Sequence, residues 1–242
     1  MIANVTMAAE RNHLGDLLRG EPEFLRNWIE HWDARRTALC LGVIVTGAGL
    51  YGAAMGYWRA PRQALFVAIK FPLIILLTTF GNALLNAMLA PLLGLNIGLR
   101  QSFLAILMSF TIASAILGSF SPLTAFMVWN APPLSTTASI SNETYSAIQL
   151  THVAVIAFAG LAANLRLVQL LRQLSGNPTI ARRVLLAWLA GNLFFGSQLS
   201  WILRPFIGSP GLPVEFLRST AFQGNFYETV FRSILGLLKA GS

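Results

Sequence analysis

The chain has 242 residues, of which 55% are hydrophobic and only 11% charged, and its mean hydropathy is +0.63; a soluble domain carries about a quarter charged residues, so this composition excludes an ordinary water-solvated globule. Lys and Arg number 17 against 9 Asp and Glu, a net charge of +8, but the cations are spread along the connections between apolar runs. That distribution argues against a nucleic-acid interface, which gathers its cations on one soluble face, and for loops lying beside anionic lipid headgroups.

The N-terminal stretch holds Glu10, Asp16, Glu21, Glu23, Glu30 and Asp33, whereas 34–142 and 144–214 contain no carboxylate. An acid at mid-bilayer costs about 3 kcal/mol or more, so long acid-free stretches suit lipid-buried helices. Acids precede the first long apolar run, so no cleavable leader is expected and the first span itself would direct insertion. Within 21–36, Phe24, Leu25, Trp28, Ile29 and Trp32 recur at helical spacing and Pro22 suits a first helical turn. An amphipathic helix is expected there, lying in the cytoplasmic interface or against a partner protein.

Crossing about 30 Å of hydrocarbon takes about 20 apolar residues, and five segments qualify. The first, about 37–58, follows Arg35 and Arg36 and ends at the aromatic anchor Tyr57-Trp58. The second, about 64–94, carries Lys70-Phe71-Pro72, where a kink or a short interfacial turn is expected before the true span. The third, about 101–129, contains Pro122; the fourth, about 145–165, lies between Tyr145 and Arg166; the fifth, about 184–207, follows Arg182-Arg183 and ends at Arg204-Pro205. Beyond it, Asn225 and Glu228 form a capping signal ahead of an apolar face of Tyr227, Val230, Phe231, Ile234 and Leu238, an amphipathic helix expected on the outer surface. The expected fold is an all-α polytopic transmembrane bundle of about five spans with interfacial helices at both ends. It divides into a cytoplasmic tail and interfacial helix (1–36), the bundle (37–207), and a turn with the C-terminal helix (208–242).

Orientation follows from the connections. The loop 130–144 lacks Lys and Arg, while 166–183 carries Arg166, Arg172, Arg182 and Arg183. Positive loops stay cytoplasmic, so the N-terminus, with Arg11, Arg19, Arg26, Arg35 and Arg36, is expected inside; Arg59 and Arg62 then fall outside.

Polar residues within spans are the candidates for function, because burying them is costly. Thr78, Asn82 and Asn86 share one face of the second span; Asn192, Gly196 and Ser200 share one face of the fifth, with Gln198 nearby. Such faces either line a substrate path or join helices, and packing is the favoured reading. Ala48, Gly52 and Gly56 form a small-residue ridge that predicts a close helix contact. After Arg204 the prolines and glycines of 205–213 dictate a compact turn. There the guanidinium, with the Gly208 and Ser209 amides, would hold a lipid phosphate, or else Arg204 snorkels above a structural turn. His13, His31 and His152 are scattered and Cys40 stands alone, so no catalytic residue, metal site, cofactor or disulfide is expected. His152 reads as a hydrogen-bonded packing residue.

Arg204-Pro205-Phe206 with Gly208-Ser209-Pro210, followed by Gly224-Asn225-Phe226-Tyr227, resembles a family of uncharacterised bacterial five-helix membrane proteins that is loosely similar to the Yip1-like group. The resemblance implies that fold and a bacterial inner membrane, and brings no activity with it. The Asp-Leu-Tyr-Gly-Pro type motif of eukaryotic Yip1 proteins is not present, so no trafficking role carries over. The expected function is a non-enzymatic membrane subunit or scaffold, in contact with the lipid bilayer and with a protein partner or a second copy of the chain. The alternatives are a small channel or carrier using Asn82, Asn86, Asn192 and Gln198, and a lipid-acting enzyme at Arg204.

Overall fold

A computed structural model describes residues 15, 19, 27–133, 138–208 and 213–228, and the side chains of all of these except 138–142. The long elements among them are all helical: α1 (Ala34–Tyr57), α2 (Pro61–Leu92), α3 (Leu99–Asn130), α4 (Ala138–Ser175) and α5 (Pro178–Leu203). Four helices, α1, α2, α3 and the Glu143–Ser175 part of α4, are long and apolar enough to cross a membrane. α5 has 26 residues, but Arg182, Arg183, Asn192, Ser197, Gln198 and Ser200 dilute its apolar content.

Each helix start has a local cause. The Asp33 carboxylate accepts from the Arg35 amide at 2.9 Å and caps α1; Pro61 opens α2, where its missing N–H is harmless. Gly176, at φ +58°, ends α4, and the Asn177 side chain caps α5 through the Thr179 amide at 2.8 Å. α1 carries a π turn at Ile44–Ala48, and there Gly47 lets it come against α3: a Cβ on Gly118 would lie 2.9 Å from the Gly47 Cα. On the opposite face, a Cβ on Gly52 or Gly56 would come within 2.6 Å of the Val67 carbonyl or 2.7 Å of the Gln63 carbonyl. The ridge thus permits antiparallel contact between α1 and α2, and α2 packs in turn on α3 and α5.

Three expectations change, and of the kink or turn expected at Pro72 the turn is excluded. No interfacial turn interrupts the second segment: α2 is helical without a break from Pro61 through Pro72 to Leu92. The fourth helix outruns its apolar segment, because Leu167, Leu170 and Leu171 are buried and keep it packed as far as Ser175. The positive loop 166–183 therefore shrinks to a tight turn at Gly176 and Asn177, and its arginines ride on helix ends. The fifth helix ends at Leu203, since Arg204 precedes a proline and adopts φ −58°, ψ 152°.

Of the amphipathic N-terminal segment, 27–30 is helical and Trp28 and Ile29 are buried. The Arg36 guanidinium lies 5.2 Å from the Trp28 ring, and Arg100 at the start of α3 donates to the Glu30 carbonyl at 3.1 Å. Residues 21–26, 209–212 and 229–242, including Ser209 and most of the C-terminal amphipathic segment, lie outside the described residues.

Candidate functional site

Two polar regions meet along α2. The deeper one faces α5. Asn82 Nδ2 donates to the Trp188 carbonyl at 3.1 Å and to the Asn192 side-chain oxygen, and Asn86 Nδ2 donates to Asn82 Oδ1 at 2.8 Å. Gly191 makes room for this cluster, since a Cβ there would collide with Asn82. Thr78, Asn82 and Asn86 are all buried, so their stripe abuts a helix along its length. Gln198 and Ser200 are not part of it. Gln198 accepts from the Phe226 amide at 3.3 Å, and Ser200 lines a separate cavity near the end of α5.

That cavity, a cup of about 440 Å³, is the second region. Its wall is formed by Met55 of α1, Phe71 of α2, the Tyr145–Ile156 stretch of α4, the end of α5, and Pro205–Gly208 and Arg218 of the segment that returns after it. The segment is held from below by α2. Gln63 Nε2 donates to the carbonyls of Pro205 and Phe206 at 2.9 and 2.8 Å, and Lys70 Nζ donates to those of Pro205 and Glu215 at 3.2 and 3.5 Å. Both side chains are fully buried, at 0% exposure, so their donors need these acceptors. Phe216 adds an edge contact to Phe66 at 5.5 Å and presents its ring 5.1 Å from the Lys70 ammonium.

Arg204 turns out of α5 and back onto it. Its Nη1 donates to the Trp201 carbonyl at 2.7 Å, and the guanidinium lies 3.5 Å from the Trp201 ring centroid. Its pKa is pulled below the usual arginine value, first by desolvation and then by repulsion from Arg218, which faces the same cup. Gly208 also lines the cup; it adopts φ +88°, and a Cβ there would lie 2.8 Å from Arg59 Cγ. Glycine is required by both the backbone and the space. Arg59, which charge counting placed outside, thus lies against the same segment as Arg204.

His152 completes the wall. Its Nδ1 is 2.9 Å from the Tyr51 hydroxyl, and Nε2 is buried without a hydrogen-bond partner. Sequence reasoning missed Gln63, Lys70, Tyr51 and Arg218 as members of this site. For Lys70 a signal was present, a lysine inside an apolar run, since such a group must find acceptors. No protein-family profile, curated protein or solved structure matches the chain, so the likeness at Arg204-Pro205-Phe206 rests on those residues alone.

Proposed function

We propose that the protein is a five-span, non-enzymatic integral membrane subunit of a bacterial inner membrane, with its N-terminus cytoplasmic, acting as a rigid scaffold that presents 204–228 to a partner. The observation that carries this reading is the anchoring of Pro205, Phe206 and Glu215 by buried Gln63 and Lys70, which ties the chain after α5 to α2 at the far end of the bundle. α5 serves as the fifth span, with its Asn192 amide and Trp188 carbonyl turned onto Asn82 of α2 instead of lipid. Arg35, Arg36, Arg100, Arg172, Arg182 and Arg183 gather at the end that would be cytoplasmic.

The channel alternative is disfavoured by the amide cluster, whose groups bond to one another and to a backbone carbonyl. An enzymatic role at the cup is disfavoured because the hydroxyl bonded to His152 is that of Tyr51, which is fully buried and out of reach of a substrate.

Single cysteines introduced at 35, 60, 132, 177 and 214 in a Cys40→Ala background, labelled in intact cells and in lysed membranes, test the topology. Labelling of 60, 132 and 214 from outside and of 35 and 177 only after lysis is expected. External labelling of both 35 and 214 would end the five-span reading. Purification in mild detergent tests the scaffold role: a stoichiometric partner, or a second copy, is expected to be retained by wild type and lost when Gln63 and Lys70 are both replaced.

A further inference from the structure

The cup joins two kinds of surface. Arg204, Arg218, Gln149 and Ser200 give its lining polar and cationic residues, and its described lining contains no carboxylate. His152 is 2% exposed, lines the same cavity, and has a ring nitrogen with nothing to bond. In the tautomer in which the Tyr51 phenol donates to Nδ1, Nε2 carries the proton and is a donor, the same polarity as the arginines. Lys70 does not compete, because its ammonium is already bonded to carbonyls on both limbs of the segment.

The other surface is apolar. Met55, Phe71, Val153 and Ile156 line the cup, and Val153 and Ile156, at 56% and 37% exposure, belong also to the outer face of α4. The rest of the protein covers α4 least: 22% of its apolar window is buried, against 44% to 61% for the other three apolar helices. The cup therefore borders the surface that hydrocarbon would coat, and its volume falls in the range of about 300–1,000 Å³ typical of small-ligand sites. Planar guanidinium forks match the oxygens of a phosphate.

We propose that this cup binds the phosphate headgroup of an anionic amphiphile. Arg204 and Arg218 grip phosphate oxygens, His152 Nε2–H and the Ser200 hydroxyl donate further hydrogen bonds, and an acyl chain leaves past Val153 and Ile156 along α4. The occupant is thus defined by an anionic head and an apolar tail together. This goes beyond the scaffold reading and does not depend on a protein partner.

The full chain, purified in a neutral detergent, is titrated with dioctanoyl phosphatidylglycerol, with dioctanoylglycerol, and with inorganic phosphate, and binding is followed by thermal shift and native mass spectrometry. Saturable binding of the phosphatidylglycerol, roughly tenfold or more tighter than either probe that lacks one half of it, is expected, with Arg218→Gln weakening it by roughly tenfold. Equal binding of inorganic phosphate would overturn the proposal in favour of a free-anion site, and equal binding of dioctanoylglycerol in favour of an apolar groove. A phosphatidylglycerol with a photoreactive acyl chain gives a readout on the unsubstituted chain. Crosslinks concentrated at Val153 and Ile156 are expected; crosslinks spread evenly over the apolar faces of α1 to α4 would mean ordinary bulk lipid and no site.

Discussion

α2 carries two buried polar stretches that meet the same requirement in different ways. Near its first turns, Gln63 and Lys70 donate to backbone carbonyls of a returning segment; further along, Asn82 and Asn86 donate mainly to side-chain amides, their own and Asn192 of α5. The reason lies in what each neighbour offers. A helix uses most of its carbonyls internally, so a polar side chain pressed against one more often finds a side-chain partner, though the Trp188 carbonyl accepts from Asn82 and the Ala83 carbonyl from Ser102. The described residues after α5, 205–208 and 213–215, are not helical and have carbonyls to give. The deep stretch becomes a lock between helices, and the shallow one an anchor for a loop.

The lock should be the more sensitive of the two. Asn82→Leu removes the donor to Asn192 and Trp188, removes the acceptor of Asn86, and places a bulkier side chain against Gly191. We expect a loss of about 3 kcal/mol in global stability, measured by denaturation in detergent micelles. A stability within about 0.5 kcal/mol of wild type would mean that water replaces these bonds and that the lock is open to solvent. Gln63→Leu should cost less, about 2 kcal/mol, because Pro205 keeps Lys70 as a donor while Phe206 loses its own. Its effect should also be local, seen as faster cysteine labelling within 205–215 before the bundle melts. Simultaneous loss of both would merge anchor and lock into one cooperative unit.

The contrast also marks what the sequence can carry. The spacing of Thr78, Asn82 and Asn86 puts them on one helical face by arithmetic, and the small residues Gly52 and Gly56 signal a close neighbour without naming it. Four long apolar helices follow from the runs between charges. The anchor shows only a lysine inside an apolar run and nothing of its partners: Gln63 and Lys70 lie 142 and 135 residues from Pro205, and Tyr51 lies 101 residues from His152. Only tertiary packing brings them together. Helix ends were misread for a related reason, since burial of Leu170 and Leu171 extends α4 past the point where hydropathy falls. Pro72 failed to break α2 because a proline costs a helix one hydrogen bond, which a long, well-packed helix tolerates.

Arg204 stands between the two regions, at the end of the helix that forms the lock and the start of the segment that the anchor holds. Its planar guanidinium both stacks on Trp201 and caps that residue's carbonyl. Lysine retains the charge but not the plane, so Arg204→Lys should lower stability by about 1 kcal/mol, close to the effect of Arg204→Ala. Free substitution by lysine, read as an unchanged melting transition in detergent, would mean that the arginine only reaches toward water and that the turn sets its own geometry.

The smallest effect is expected at Gln198, and it asks to which region that residue belongs. In sequence it lies close to Asn192, yet its side-chain oxygen accepts from the Phe226 amide at 3.3 Å, so it serves a returning segment, as Gln63 does. The contact is backed by others. Tyr227 Oη lies 2.8 Å from the Ser197 hydroxyl and donates toward the Leu193 and Phe194 carbonyls at 3.3 Å each, and its ring stacks on Phe194 at 5.9 Å. With four other interactions holding the same turn, Gln198→Ala should reduce global stability by about 0.5 kcal/mol and leave the melting transition almost unmoved. What should change is local: amide exchange at 226–228 should speed up by roughly the factor of two to three that such an energy represents, while exchange around Asn82 stays constant. If Gln198→Ala instead lowered protection at Asn82 and Asn192, Gln198 would belong to the lock, and the returning segment would rest on α5 through the Tyr227 hydroxyl and ring.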